Sequence, residues 1–344
     1  MKTPLFPAIR ETEILFRPFI HRKLELHGRV VLTPQVFSSP TASITNAHAA
    51  LQFRRHAESE SALLITESIA VGDSAATKNE HSPQFRGGST VRTWKAICRA
   101  VHTTPCKIAI KLSHAGMLHE GETAPTGPSG ILPDSQEQIT APMERSRMAE
   151  IANAYAKAAE AAKFCGADAV EIEGNNGSLI EQFLRVDTNI RTDEYGGDLA
   201  RRTRYACEII HAVRKKVGSK FPIIFSFTQW IDKQPPARLA EDAYHLETML
   251  HMLCQAGVDI FHCSAHDHAR PAFEGNALPV AAWVRMLTHK PIITDVPESN
   301  SAPEPARHHI SGSALTHPLA HIIRILRAEE TDLVSLPRDF LRFL

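Results

Sequence analysis

Lys111 and Glu173 are the residues of this chain best suited to chemistry. Each falls within or at the end of a short apolar run, and the two runs follow one another as strands, so both side chains are expected to point into the same interior. A lysine in a partly dry pocket can have a lowered pKa and act as a base or Schiff-base nucleophile. A neighbouring glutamate can assist it as acid or base. The same two side chains would also make a buried ion pair, the usual condition for burying charge. Both readings stay open at this level. Around them, strand ends offer Gln35, Glu67, His114, Asn176, Ser226, Thr228, Trp230, Ser264, His266, His268 and Asp295, a polar and ionisable mouth. Gln35, His114, Asn176, Ser226, Trp230 and His266 are the substrate-binding candidates. His266 and His268 would share one face of a strand, with Glu173 or Asp295 as a further ligand. The nineteen histidines are dispersed, however, and no zinc-type ligand spacing occurs, so no metal is expected.

These residues need a scaffold that brings strand ends together. Candidate strands lie at 29–32, 62–66, 107–112, 167–172, 223–227, 258–263, 291–294 and 308–311. Helical patterns lie between them, at 145–165, 199–217 and 240–256 among others, the last stopped by Gly257. Eight strands that mostly alternate with helices predict an α/β protein, a (β/α)8 TIM barrel. The competing doubly wound sheet is disfavoured because no Gly-x-Gly-x-x-Gly follows any strand. No linker divides the chain, so residues 1–344 are expected to form one domain, with long polar loops at 71–86 and 118–141 over the mouth. Between Asp295 and Arg307 the connection to the eighth candidate strand has only thirteen residues, including Pro297, Pro303 and Pro305. Those prolines forbid a continuous helix, so the helix between strands seven and eight is expected to be shortened or missing.

Bulk composition narrows the function. With 43% hydrophobic and 22% charged residues and no net charge, the chain is ordinary for a globular protein and lacks the excess that nucleic acid or an anionic membrane would attract. No apolar run approaches the ~20 residues of a membrane-spanning helix. The N-terminus lacks the apolar core of a signal peptide, so a cytoplasmic location is expected. The six cysteines form no Cys-x-x-Cys pair and read as reduced core thiols.

The stretch Asn189-Ile190-Arg191-Thr192-Asp193-Glu194-Tyr195-Gly196-Gly197 resembles the core signature of the Old Yellow Enzyme family, the FMN-dependent NAD(P)H:flavin oxidoreductases. Leu15-Phe16-Arg17-Pro18, His27-Gly28-Arg29-Val30, Lys111-Leu112-Ser113-His114-Ala115-Gly116, Gly127-Pro128-Ser129-Gly130, Gly257-Val258-Asp259-Ile260-Phe261-His262-Cys263-Ser264 and Gly312-Ser313-Ala314-Leu315 extend the likeness along nearly the whole chain. The positions to which the resemblance assigns chemistry differ from the family pattern. The residue that tunes the flavin is Val36, and the glutamine that bonds the flavin ring is Lys111. The histidine of the substrate-anion pair is Glu173, with its partner kept as Asn176. The proton-donating tyrosine is Ser178, a candidate catalytic residue but a shorter and weaker acid. The arginine beside the flavin falls at Ser226 or Phe225. The phosphate glycines give way to Asp295-Val296-Pro297, and the phosphate-binding arginine to Ser313.

Taken together, these departures predict a family barrel that has lost FMN, with no cofactor expected unless the family role survives. The expected activity is a non-redox isomerase, cyclase, condensation or lyase step on a small carbonyl compound, with Lys111, Glu173 and Ser178 carrying it. An FMN-dependent ene-reductase with unusual contacts is the alternative. A non-catalytic barrel, acting as a partner subunit or as a ligand-binding module, is the third reading. Expected partners are a small molecule and either a second copy or another subunit, not nucleic acid or membrane.

Overall fold

The computed structural model describes residues 12–34, 46–72, 74–78, 83–85, 87–133, 135, 137–231, 237–265, 267, 269–296 and 318–336. Eight strands form the barrel: β1 (Val30–Leu32), β2 (Leu63–Ile65), β3 (Lys107–Ser113), β4 (Ala169–Gly174), β5 (Ile223–Phe227), β6 (Ile260–Cys263), β7 (Ile292–Asp295) and β8 (Leu333–Ser335). Neighbours pair in parallel around the ring, β8 returns to β1, and β2 closes against β3. Helices α1 (Asn46–Ala57), α2 (Gly87–Val101), α3 (Arg145–Cys165), α4 (Leu179–Leu184), α5 (Leu199–Val217), α6 (Ala243–Ala256), α7 (Val280–Thr288) and α8 (Pro318–Arg327) connect them. The chain is a (β/α)8 barrel.

Alternation along each strand divides its side chains between two cores. Ile108, Ile110, Val170, Ile172, Ile223, Phe225 and Phe261 face outward and pack in the helix-facing core. Val31, Leu63, Ile65, Ala109, Ala169, Ile224, Ile260, Ile293 and Leu333 form a second cluster inside the barrel. Phe19, Leu24 and Leu26, from the hairpin Phe19–His21 with Leu24–Leu26, join that inner cluster and plug its lower end. Each large side chain buried this way contributes about 1.5–3 kcal/mol. One pleat further toward the C-terminal ends, the inward residues change character to Lys111, Glu171, Ser226, His262, Asp295 and Ser335. The apolar plug below and the polar layer above are what turn a packed barrel into a mouth that can hold chemistry.

A repeated device ties the strands in pairs at the lower end. Asp168, just before β4, accepts a hydrogen bond from Ile108 N of β3 at 2.9 Å. Asp259, before β6, accepts from Ile223 N of β5 at 3.0 Å. Asp332, before β8, accepts from Ile292 N of β7 at 2.9 Å. Each carboxylate also meets a base: His102 at Asp168, Arg22 and Arg214 at Asp259, and Arg285 at Asp332.

Most strand expectations are correct to within two residues, but the eighth is not. The segment 308–311 lies outside the described residues, and the strand that closes the barrel is Leu333–Ser335. The connection from β7 therefore runs much further than thirteen residues and carries α8, ten residues long. The expectation of a missing helix is corrected, although α8 is short beside the 21 residues of α3 and the 19 of α5. Pro297, Pro303 and Pro305 lie upstream, outside the described residues. Pro318 opens the helix, where proline's fixed φ and missing N–H are harmless. Leu319, Ile322, Ile323 and Leu326 then follow at helical spacing and pack against Leu15, Val30 and Val334. No helix among the described residues is long and apolar enough to cross a membrane.

Candidate functional site

The polar layer is one connected chain of charges across the barrel. Lys111 Nζ lies 3.2 Å from Glu171 Oε1. Glu171 Oε2 lies 2.9 Å from His262 Nδ1, and His262 Nε2 lies 2.8 Å from Asp295 Oδ1. Ser264 Oγ donates to Asp295 Oδ2 at 2.7 Å. Register sets this up, because Lys111 and Glu171 are direct partners across β3 and β4.

Burial opposes every charge in this chain, and the partners win. Burial pulls the Lys111 ammonium down, but Glu171, backed by Glu173 and Asp295, holds it above the ordinary lysine range. Burial also lowers His262, but Asp295 and Glu171 raise it to about 10, so both ring nitrogens carry protons at neutral pH. Burial raises Glu171, while Lys111 and His262 bring it down to about 2. Asp295 is held below the ordinary carboxylate range despite its burial, with His262 the leading cause.

Glu173 stands one pleat above this chain and does not pair with Lys111, contrary to expectation. Its Oε2 accepts from Ser68 Oγ at 2.8 Å, and its Oε1 accepts from Asn176 Nδ2 at 3.0 Å. Alternation explains the outcome. Glu171 and Glu173 both face inward from β4, and Glu171 is level with Lys111. Glu171 and His262 are the members of the site that sequence reasoning missed. His262 lies in the quoted segment Gly257–Ser264 and Glu171 in the candidate strand 167–172, and counting every second residue along β4 and β6 finds them.

The other candidates divide clearly. Ser226 Oγ donates to Asn175 Oδ1 at 3.1 Å and is fully buried, which commits it to the loop after β4. Ser178 Oγ donates to the backbone oxygen of Glu173 at 3.0 Å and begins α4. His114 is buried, with Nδ1 accepting from Gly116 N at 3.0 Å, an arrangement that shapes the loop after β3. Trp230 sits on the rim. Its Nε1 donates to Pro271 O at 3.1 Å, with the Arg270 guanidinium 3.6 Å and that of Arg238 5.4 Å from its ring centre. Gln35, Val36, His266, His268 and Ser313 lie outside the described residues. Among the described residues no group of three His, Cys, Asp or Glu is placed to hold a metal. Burial pushes the thiols of Cys98, Cys106 and Cys207 up to about 12, far from nucleophilic character.

The retained motif clamps the loops that frame the mouth. Arg191 forks onto Asp193 at 3.0 and 2.6 Å and donates to Pro128 O and Met143 O at 2.8 and 2.9 Å. Asn189 Nδ2 donates to Phe183 O and Tyr195 O. A Cβ on Gly196 would stand 2.0 Å from Arg191 O, so a side chain cannot fit there.

Glu181, beneath this loop, adds a testable pH response. It accepts from Gly177 N, yet burial raises its carboxyl from the ordinary 4.5 to about 7. The folded state then keeps a proton that the unfolded chain releases between these values, so this group lowers stability as pH rises through that window. Wild type should lose about 3 kcal/mol more than Glu181→Gln between pH 4.5 and 8. Urea unfolding of both proteins across this range checks it, and parallel pH profiles would contradict it.

Two grounds for expecting a dismantled phosphate place change with the geometry. Asp295 is matched by His262 rather than standing as a lone negative charge. With β8 ending at Ser335, Ser313 comes before α8 in the sequence and does not follow the eighth strand. The segment that follows the eighth strand is Leu336-Pro337-Arg338-Asp339-Phe340-Leu341, of which residues 337–341 lie outside the described residues.

A closed barrel with apolar plug, charged mouth and clamped loops is the scaffold of a (β/α)8 enzyme. This chain belongs to the NADH:flavin oxidoreductase / NADH oxidase family, the Old Yellow Enzyme family, whose model matches residues 14–294. It is similar to a rice (Oryza sativa subsp. japonica) protein named putative 12-oxophytodienoate reductase 5, with 34% identity over 62% of this chain and 61% of that one. It is also similar to an NADPH dehydrogenase of Bacillus cytotoxicus, with 29% identity over 73% of this chain and 71% of the other. The matched stretch spans about three fifths of the rice relatives. Among solved structures, morphinone reductase superposes with a TM-score of 0.73 over 95% of this chain and 86% of its own, at 21% identity, a likeness of fold.

Proposed function

We propose that this chain is an FMN-dependent NAD(P)H oxidoreductase acting on an electron-poor alkene. The observation that carries this reading is Lys111 held as an ammonium on the inner face of β3, where the resemblance puts the residue that bonds the flavin ring. An ammonium has three N–H donors, of which one can serve the ion pair with Glu171. The others suit the carbonyl oxygens of a flavin's pyrimidine edge, and the positive charge suits the negative charge that reduction adds there. On this donor chemistry the residues fit the group. When bound, FMN would supply the hydride chemistry that these side chains lack.

The protein's own residues have separable roles in this reading. Lys111 orients the ring edge. Glu171 and His262 hold Lys111 charged and in place. Glu173 and Asn176 face substrate. Ser178, committed to Glu173 O, moves no proton, so the proton for the product reaches it from elsewhere, water included. The flavin-free reading asks Lys111 to be a neutral nucleophile, and its surroundings push the other way.

The family and the reductase and dehydrogenase names of the relatives support the proposal. Anaerobic mixing of the FMN-loaded protein with NADPH or NADH tests it. The flavin band should bleach, and an electron-poor alkene should restore it. A band that neither dinucleotide bleaches would refute the oxidoreductase reading.

A further inference from the structure

Among the described residues, the close ion pairs of the polar layer leave out Glu173. Lys111 meets Glu171, and His262 meets Asp295. Glu173 is 3% exposed and makes no ion pair among the described residues; its two hydrogen bonds come from the neutral Ser68 hydroxyl and Asn176 amide. Those use two of about four acceptor positions on a carboxylate. Asn176 reaches its place with φ of 56°, the left-handed conformation that asparagine tolerates better than most L-residues. The loop thereby aims the Asn176 amide at this carboxylate. Lys111 attracts Glu173 without forming an ion pair with it, so a cation arriving from the mouth would give Glu173 the direct charged partner that Glu171 and Asp295 already have.

We propose that Glu173 makes this mouth a receptor for positively charged nitrogen, so that the favoured ligand presents an ammonium or iminium group to the open lone pairs of Glu173. A carbonyl oxygen or carboxylate offered at the same place would meet an acceptor where it needs a donor. This names the substrate class of the proposed oxidoreductase and rests on that reading for the reaction, but not for the binding.

Three ring compounds of similar size serve as probes: benzylamine, benzyl alcohol and benzoate. Calorimetric titration of the full chain, with and without FMN, should rank benzylamine tightest and benzoate weakest. Glu173→Gln keeps the shape and should weaken benzylamine about tenfold or more, while Glu173→His should bring benzoate above benzylamine. Benzoate binding as tightly as benzylamine in wild type, or no binding by any of the three, would overturn the proposal even if neither variant folds. So would unchanged benzylamine affinity in a folded Glu173→Gln. Amine-selective binding in a protein that takes up no FMN would uphold this inference while removing the flavin reading.

Discussion

Lys111→Met should destabilise the protein by about 3–5 kcal/mol. The loss comes less from the missing lysine than from what it leaves behind. Glu171 is fully buried, and its low pKa depends on Lys111 and His262. Without the ammonium, one carboxylate oxygen faces the barrel interior with no cation, and Glu173 and Asp295 add repulsion from above and across. Adding Glu171→Gln to Lys111→Met removes the stranded charge and should recover a large part of the loss, because a buried pair replaced as a unit costs far less than a broken one. Urea unfolding of the two single variants and the double closes the cycle. If the double variant is as unstable as the sum of the singles, Lys111 and Glu171 are not coupled as described.

Asp259→Ala should cost a similar amount, about 3–5 kcal/mol, without touching the mouth. Asp259 is fully buried, accepts from Ile223 N, and meets Arg22 and Arg214. Arg214 also holds the backbone oxygens of Gly218, Phe221 and Gly257, so its removal from Asp259 loosens the turns leading into both β5 and β6. The two variants therefore share a stability loss but differ in function. At a temperature where both remain folded, Asp259→Ala should keep wild-type FMN affinity, and Lys111→Met should lose about tenfold or more. Equal loss of affinity in both would mean that Lys111 acts through the scaffold alone.

The sequence carried the repeating parts of this fold well. Helices α3 and α5 have their expected bounds because Ala, Glu, Lys and Arg favour helix and because Gly166 and Gly218 stop them with positive φ. Strand β5 is an apolar run broken only by Ser226, with Gly218, Ser219 and Pro222 before it. The eighth strand failed for a specific reason. Gly312-Ser313-Ala314-Leu315 imitates a family ending, and it drew the strand to 308–311, more than twenty residues early. A better signal was internal. Asp168, Asp259 and Asp332 each precede a short apolar run, and each binds the N–H of the strand before it. The third repeat marks β8.

The site was legible in position but not in pairing. Lys111 and Glu173 do face inward, as expected from alternation. Which carboxylate meets the lysine depends on register between β3 and β4, and a strand's own pattern does not contain its register. His262 was harder still. Its importance comes from lying between carboxylates on β4 and β7, strands far apart in sequence. The expected loss of FMN treats each replacement as a deletion. In the structure Lys111 carries a cation paired with Glu171, and Asp295 is paired with His262.

The most direct test is a titration of purified, full-length protein with FMN, followed by visible absorbance and by quenching of flavin fluorescence. Saturable binding of one FMN per chain with a perturbed flavin band is expected, weakened in Lys111→Met. A colourless protein that leaves the spectrum of free FMN unchanged at saturating concentrations would contradict it.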